Sequence, residues 1–188
     1  MAKALVCYAD GSEDIEVTAI SDILNRGGVK VIKCAINNTG SNEVTLAHGT
    51  KVICDVNIKE CNDTYDLIAI PGGLKGSENC RDNEKLVAML KEQKQNSRFI
   101  GAICAAPGFV LATHNLLGNA KATGYPGCQT SDIKNYSQER VVIDSQEKIV
   151  TGQGPAFAID FSLALLEVLT NKETAQKVAL GMLHNCAC

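Results

Sequence analysis

Short apolar runs bounded by Gly, Pro and Asp alternate with stretches of helical periodicity from one end of the chain to the other. The runs Ala4–Ala9, Val29–Ile36, Leu67–Ile70, Phe99–Ile103 and Lys148–Thr151 predict strands, and several are apolar on both faces. That pattern suits a parallel sheet covered by helices on each side. Between the strands the spacing predicts helices over Glu13–Arg26, Ser77–Gln95, Ala105–His114, Pro155–Thr170 and Lys172–His184. Two pairings read as antiparallel hairpins: Val44–Leu46 with Lys51–Cys54, and Arg140–Ile143 with Lys148–Thr151. The βαβα rhythm therefore predicts an α/β three-layer αβα sandwich around a mostly parallel sheet. No repeat, linker or low-complexity tract divides the chain, so residues 1–188 are expected to form one domain.

Composition narrows the function classes. The net charge is −3, so no basic footprint points to nucleic acid or an anionic membrane surface. Aromatic residues make up 4% and Trp is absent, which leaves few platforms for stacking bases. The nine cysteines are odd in number and include no Cys-x-x-Cys pair, which argues against a disulfide framework or a zinc ribbon. No metal site or cofactor is expected. Cys7, Cys34 and Cys54 fall in apolar runs, where a thiol behaves as a small hydrophobe. Cys186 and Cys188 at the end of the chain are too few to make a site. No secretory signal or membrane span is visible, so reduced thiols in a cytoplasmic protein are the expectation.

In parallel α/β sheets the working site usually lies at the C-terminal strand ends. Three such junctions carry unusual residues. In Phe99-Ile100-Gly101-Ala102-Ile103-Cys104-Ala105-Ala106-Pro107-Gly108 an apolar strand stops at a cysteine flanked by small residues, with Pro107 in the first turn of a helix. This resembles a nucleophile elbow with sulfur in place of oxygen. A helix N-terminus would favour the thiolate at neutral pH and offer N–H groups to a developing oxyanion. A buried structural thiol is the alternative. In Ile70-Pro71-Gly72-Gly73 the backbone turns tightly and bares N–H groups, but the segment matches no nucleotide-binding fingerprint.

The third junction leads into the first helix. At about 100° per residue, Ala19, Ile20, Ile23 and Leu24 define a buried arc, with Ile15 and Val17 at its margins. Glu16 falls near its middle. A carboxyl aimed into apolar surroundings tends to keep its proton, which would let it shuttle that proton to a neighbour. Pattern alone leaves partial exposure equally open. Glu13 is read as serving the helix dipole, and Arg26 as a binding candidate whose simpler role is capping the helix C-terminus. His48, His114 and His184 stand at no evident strand-end junction.

Ala9-Asp10-Gly11-Ser12-Glu13-Asp14-Ile15-Glu16, Ile70-Pro71-Gly72-Gly73, Ala102-Ile103-Cys104-Ala105-Ala106-Pro107 and Gly152-Gln153-Gly154-Pro155 together resemble the DJ-1 family, in its DJ-1/YajL-like branch. The likeness covers essentially the whole chain, with the motifs in order. It implies a flavodoxin-like fold and a homodimer. It also implies Cys104 as nucleophile and oxidation-sensitive thiol, Glu16 as proton shuttle, and the N–H groups of Gly73 and Ala105 as oxyanion donors, with Gly72 beside them. The implied activities are cofactor-free conversion of methylglyoxal to lactate, deglycation of early glycated adducts, and redox sensing with chaperone-like behaviour. Tyr125 stands before Pro126 where many relatives have His, and His48 stands where they have an arginine reaching the cysteine pocket across the dimer. Both are binding candidates. Gln153 replaces a commonly basic residue. A non-enzymatic sensor or chaperone, and a cysteine peptidase or amidotransferase relative, are the competing readings. The peptidase branch often carries His next to the cysteine, and here Ala105 takes that place.

Overall fold

A computed structural model describes residues 1–184; Cys186 and Cys188 lie outside the described residues. In chain order the elements begin with β1 (Lys3–Tyr8), α1 (Asp14–Arg26), β2 (Lys30–Ala35), β3 (Glu43–Thr45), β4 (Lys51–Ile53) and β5 (Val56–Asn57). They continue with β6 (Leu67–Ile70), α2 (Leu74–Arg81), α3 (Glu84–Gln95) and β7 (Phe99–Ile103). The last are β8 (Lys121–Ala122), β9 (Asn135–Tyr136), β10 (Val141–Asp144), β11 (Ile149–Gly152), α4 (Ala158–Leu169) and α5 (Lys172–Gly181).

The strands that are apolar on both faces lie inside a seven-stranded sheet of order β10-β11-β7-β6-β1-β2-β5. Every pairing in it is parallel except β10 with β11. Helices α1 and α4 bury Ile20, Leu24, Phe161 and Leu165 against one face. On the other, α3 and the segment after β7 bury Leu86, Leu90, Val110 and Leu111. The expected three-layer, flavodoxin-like sandwich is therefore present. Both predicted hairpins form, with Val44 opposite Val52 and Val142 opposite Thr151. No helix among the described residues is long and apolar enough to cross a membrane.

Three local expectations need correction, and three short strands were not expected. The helix predicted over Ser77–Gln95 is two helices, because Asn83 turns its side chain back to accept from the Leu86 N–H and starts α3 afresh. The helix predicted over Ala105–His114 is widened to π-type turns over Pro107–Ala112, with Thr113 N–H bonding Gly108 O. Gly108 lies so close to the 128–129 backbone that a Cβ there would sit 2.0 Å from Cys128 O. Helix α5 ends at Gly181 rather than His184. Finally, β5, β8 and β9 are two residues each, too short to show a period.

Strand order decides where a site can form. From β1 the chain moves to β2 on one side, while β6 and β7 lie on the other. Such a reversal opens a crevice at the C-terminal strand ends. The ends of β1, β6 and β7 stand side by side there.

Candidate active site

The β1–α1 connection is folded by its own polar groups. Ser12 Oγ accepts from the Ala9 N–H at 3.0 Å, and the Glu13 N–H donates to Gly72 O at 3.1 Å, which ties this loop to the end of β6. Glu13 is the N-cap of α1, its carboxylate accepting from the Glu16 N–H at 2.8 Å. This bears out the dipole role read for Glu13. Glu16 then enters the first turn and is fully buried, which decides between burial and partial exposure. Ile15, placed at the margin of the buried arc, is exposed instead.

The β6–α2 connection supplies space. Gly72 N–H donates to Glu16 Oε2 at 2.6 Å. A Cβ on Gly72 would sit 2.4 Å from Cys104 Cβ and 2.8 Å from Glu16 Oε2, so only glycine fits between them. Gly73 has φ 82°, and a Cβ there would meet Gly11 O at 2.2 Å. It starts α2 without a side-chain cap, leaving its own N–H turned toward sulfur.

At the third junction Cys104 has φ 64°, the left-handed region that costs a non-glycine residue roughly 1–2 kcal/mol. The strain is held from both sides: its N–H donates to Gly152 O at 2.9 Å, and its C=O accepts from the Tyr125 N–H at 2.7 Å. The elbow expected from the sequence is thus present. Cys104 is 8% exposed, and the N–H groups of Gly73 and Ala105 face its sulfur and favour the thiolate.

Ionisation departs from the sequence expectation of a free thiolate. Burial pushes Glu16 up to about 7, with a further push from Glu13 and an opposing pull from the Gly72 N–H. Burial and the charge of Glu16 push Cys104 up to about 12, against the pull of the two N–H groups. Groups this close titrate as a pair. The pair sheds one proton near 7 and the next near 12. Above about 7 the pair therefore holds one proton, resting on sulfur and able to pass to Glu16. When Glu16 carries it, Cys104 is a thiolate cradled by two N–H groups. Glu16 Oε2 is committed to Gly72, whereas Oε1 is buried without a hydrogen-bond partner among the described residues. That oxygen is free to carry and pass the proton.

A stability prediction follows. Because the folded protein binds the Glu16 proton more tightly than the unfolded chain does, this stabilisation is complete below the carboxyl's ordinary range. It is lost as pH rises from there through about 7. The shift corresponds to about 3 kcal/mol. Urea unfolding should show wild type losing about that much from this residue between acid and mildly alkaline pH, and Glu16→Gln losing none of it. Identical pH dependences would contradict the assignment.

The other sequence candidates divide. The Tyr125 backbone buttresses Cys104, while its half-exposed ring borders an open groove of about 470 Å³ with Pro126, Gln153, Gly154 and Phe157. His48 sits in the β3–β4 turn, exposed, with Nε2 3.9 Å from Glu13 Oε1 and no contact with Cys104 in the single chain. Arg26 is not brought to the site. It lies ten residues along α1 from Glu16, about 15 Å, and pairs with Asp22 at 2.7 Å. His114 bonds Arg81 O, and His184 pairs with Asp160. Among the described residues no histidine bonds Cys104, and no group of three or more His, Cys, Asp or Glu is placed to hold a metal ion. Sequence reasoning missed Gly11 and Gly124. Gly11 has φ 80° where the loop crosses α2, and Gly124 approaches Cys104 O. A glycine in each strand-end segment was the available signal.

Comparison with known proteins points the same way. The chain is 38% identical over 183 residues to Protein DJ-1 homolog B of Arabidopsis thaliana, covering 96% of this chain but only 41% of the plant protein. It is 32% identical over 167 residues to Glutathione-independent glyoxalase DJR-1.2 of Caenorhabditis elegans, covering 87% of this chain and 86% of that one. Oxidized Toxoplasma gondii DJ-1 superposes with a TM-score of 0.93 at 42% identity, over 98% of this chain and 100% of the other. A model of the DJ-1/PfpI family matches residues 2–168, and a match of that extent makes this chain a member of the DJ-1/PfpI family.

Proposed function

We propose that the protein is a glutathione-independent glyoxalase-type enzyme that converts methylglyoxal to lactate through Cys104, with early glycated adducts as a related substrate class. One observation carries the reading: a fully buried Glu16, with one unpartnered oxygen, packed across Gly72 from a cysteine whose sulfur faces two N–H donors. The name of the nematode relative supports it.

The steps use only these groups. With the proton on Glu16, the Cys104 thiolate adds to the aldehyde carbon, and the Gly73 and Ala105 N–H groups hold the alkoxide as it forms. Glu16 Oε1 gives its proton to that oxygen and becomes a carboxylate. It then takes the hydrogen from the same carbon, giving an enediolate, and returns it to the neighbouring carbon while the hydroxyl proton passes from the first oxygen to the second, which leaves a lactoyl thioester on sulfur. Water cleaves the thioester, releases lactate and restores the shared proton. No external thiol or metal enters.

Purified protein should therefore form lactate from methylglyoxal in the presence of chelator and without glutathione. Activity that disappears with chelator and returns with zinc would sink the proposal. A second reading rests on the unpartnered Oε1. A protonated Glu16 can donate to an oxygen on an oxidised Cys104, as a sensor requires, and Glu16→Gln keeps that donor while losing proton transfer. The reading extends to a homodimer, whose mass sedimentation would report directly.

A further inference from the structure

A second pair of thiols meets in the hydrophobic cluster under α3, away from Cys104. Cys34 is the fifth residue of β2, and Cys61 closes the turn Ile58–Glu60. They are 27 residues apart in sequence, yet their sulfurs lie 3.5 Å from one another. This is the one sulfur–sulfur hydrogen bond among the described residues. A disulfide requires about 2.05 Å, so a modest approach of one side chain closes the gap.

The two thiols are unlike. Cys34 is fully buried, and the neighbouring thiol and burial hold its proton firmly. Cys61 is 5% exposed and has help in losing its proton. The Lys85 ammonium donates to Lys59 O at 2.8 Å and to Asn62 Oδ1 at 3.3 Å, which fixes a positive charge between residues on both sides of Cys61. The Cys34 thiol, the Tyr65 hydroxyl and this charge together lower Cys61 to about 7. A reachable, acidic thiol touching a buried, protonated one is the arrangement of an attacking and a resolving cysteine.

We propose that Cys34 and Cys61 form a second redox site, closing to an intramolecular disulfide under hydrogen peroxide independently of Cys104. The Cys61 thiolate attacks one peroxide oxygen; the O–O bond breaks, giving the sulfenic acid and a hydroxide that becomes water with the proton Cys61 released. The Cys34 thiol then attacks the sulfenic sulfur. The S–S bond forms as the S–O bond breaks, and the hydroxyl leaves with the Cys34 proton as a second water. Two thiols have lost two electrons, and one peroxide has become two waters. Because no other sulfur bonds Cys104 among the described residues, its oxidation is expected to proceed instead toward the sulfinic acid. The inner pair is the reversible partner of that irreversible site.

Peptide mapping tests this on wild-type protein. After graded peroxide, denaturation and alkylation, a cross-linked pair of peptides containing Cys34 and Cys61 is expected. The protein should take up two fewer alkyl groups, apart from any loss at Cys104, and recover both with dithiothreitol. The link should persist in Cys104→Ala and vanish in Cys61→Ala. The wild-type map decides even if the second variant fails to fold. The proposal is overturned if both thiols stay alkylatable at doses that convert Cys104. A sulfinic acid at Cys61, or a link of Cys34 to Cys7 or any other cysteine in place of this one, would overturn it equally.

Discussion

Replacing Cys104 by serine should abolish methylglyoxal turnover, lowering kcat/KM by at least about 10⁴-fold, the scale seen when an enzyme loses its nucleophile. The geometry explains why so similar an atom fails. Between about pH 7 and 12 the Glu16–Cys104 pair holds one proton, and catalysis needs it on oxygen while sulfur is charged. A serine hydroxyl is far too weak an acid to surrender its proton to Glu16 in that way. The two N–H donors then face a neutral oxygen, and the attack on the aldehyde never starts. The side chain is nearly isosteric, so the left-handed turn held by Gly152 and Tyr125 should survive and circular dichroism should be unchanged. A folded serine variant retaining turnover within about tenfold of wild type would remove Cys104 from the chemistry.

Glu16→Ala should lower kcat by about 10²–10⁴-fold, the usual value of a positioned proton relay. Glu13→Ala should leave turnover nearly intact and cost about 1 kcal/mol of stability through the lost N-cap. The contrast follows from placement. Glu13 spends its carboxylate on the Glu16 N–H, whereas Glu16 alone presents an unpartnered oxygen inside the site. Folded variants with equal activity losses would refute the division of roles. Glu16→Gln sharpens it: the amide cannot abstract the carbon-bound hydrogen, so activity should fall with Glu16→Ala. Its stability above neutral pH should nevertheless exceed wild type, because a buried charge has been removed. Nature has kept a destabilising acid here, and the proposed proton transfer supplies the reason.

Much of this was legible before any coordinates. Strands and helices are local, so the apolar runs and the 3.6-residue spacing located the main elements, and Glu16 emerged as an acid on an apolar arc. Junction motifs pointed to Cys104, Gly72 and Gly73 because small residues after a strand announce a tight turn. Elements without enough residues to show a period stayed hidden, as did the break at Asn83, where one side-chain bond outweighs a continuing helical pattern.

What the sequence could not contain was distance between segments far apart in the chain. The order of β1, β6 and β7 brings Glu16 within reach of Cys104, and burial there raises both groups; a neutral-pH thiolate is the natural expectation without that contact. The same holds for Arg26, carried away from the site by the length of α1, and for His48, left on an exposed turn in the single chain. Cys34 read as a small hydrophobe in a strand, and so it is. The packing of β2 against the turn before β6 sets the Cys61 sulfur within hydrogen-bonding distance of it. Periodicity reports which face of an element is buried, because that depends on residues a few positions apart. Ionisation and reactivity depend on charges and sulfurs a few ångströms away, and the tertiary structure decides those neighbours.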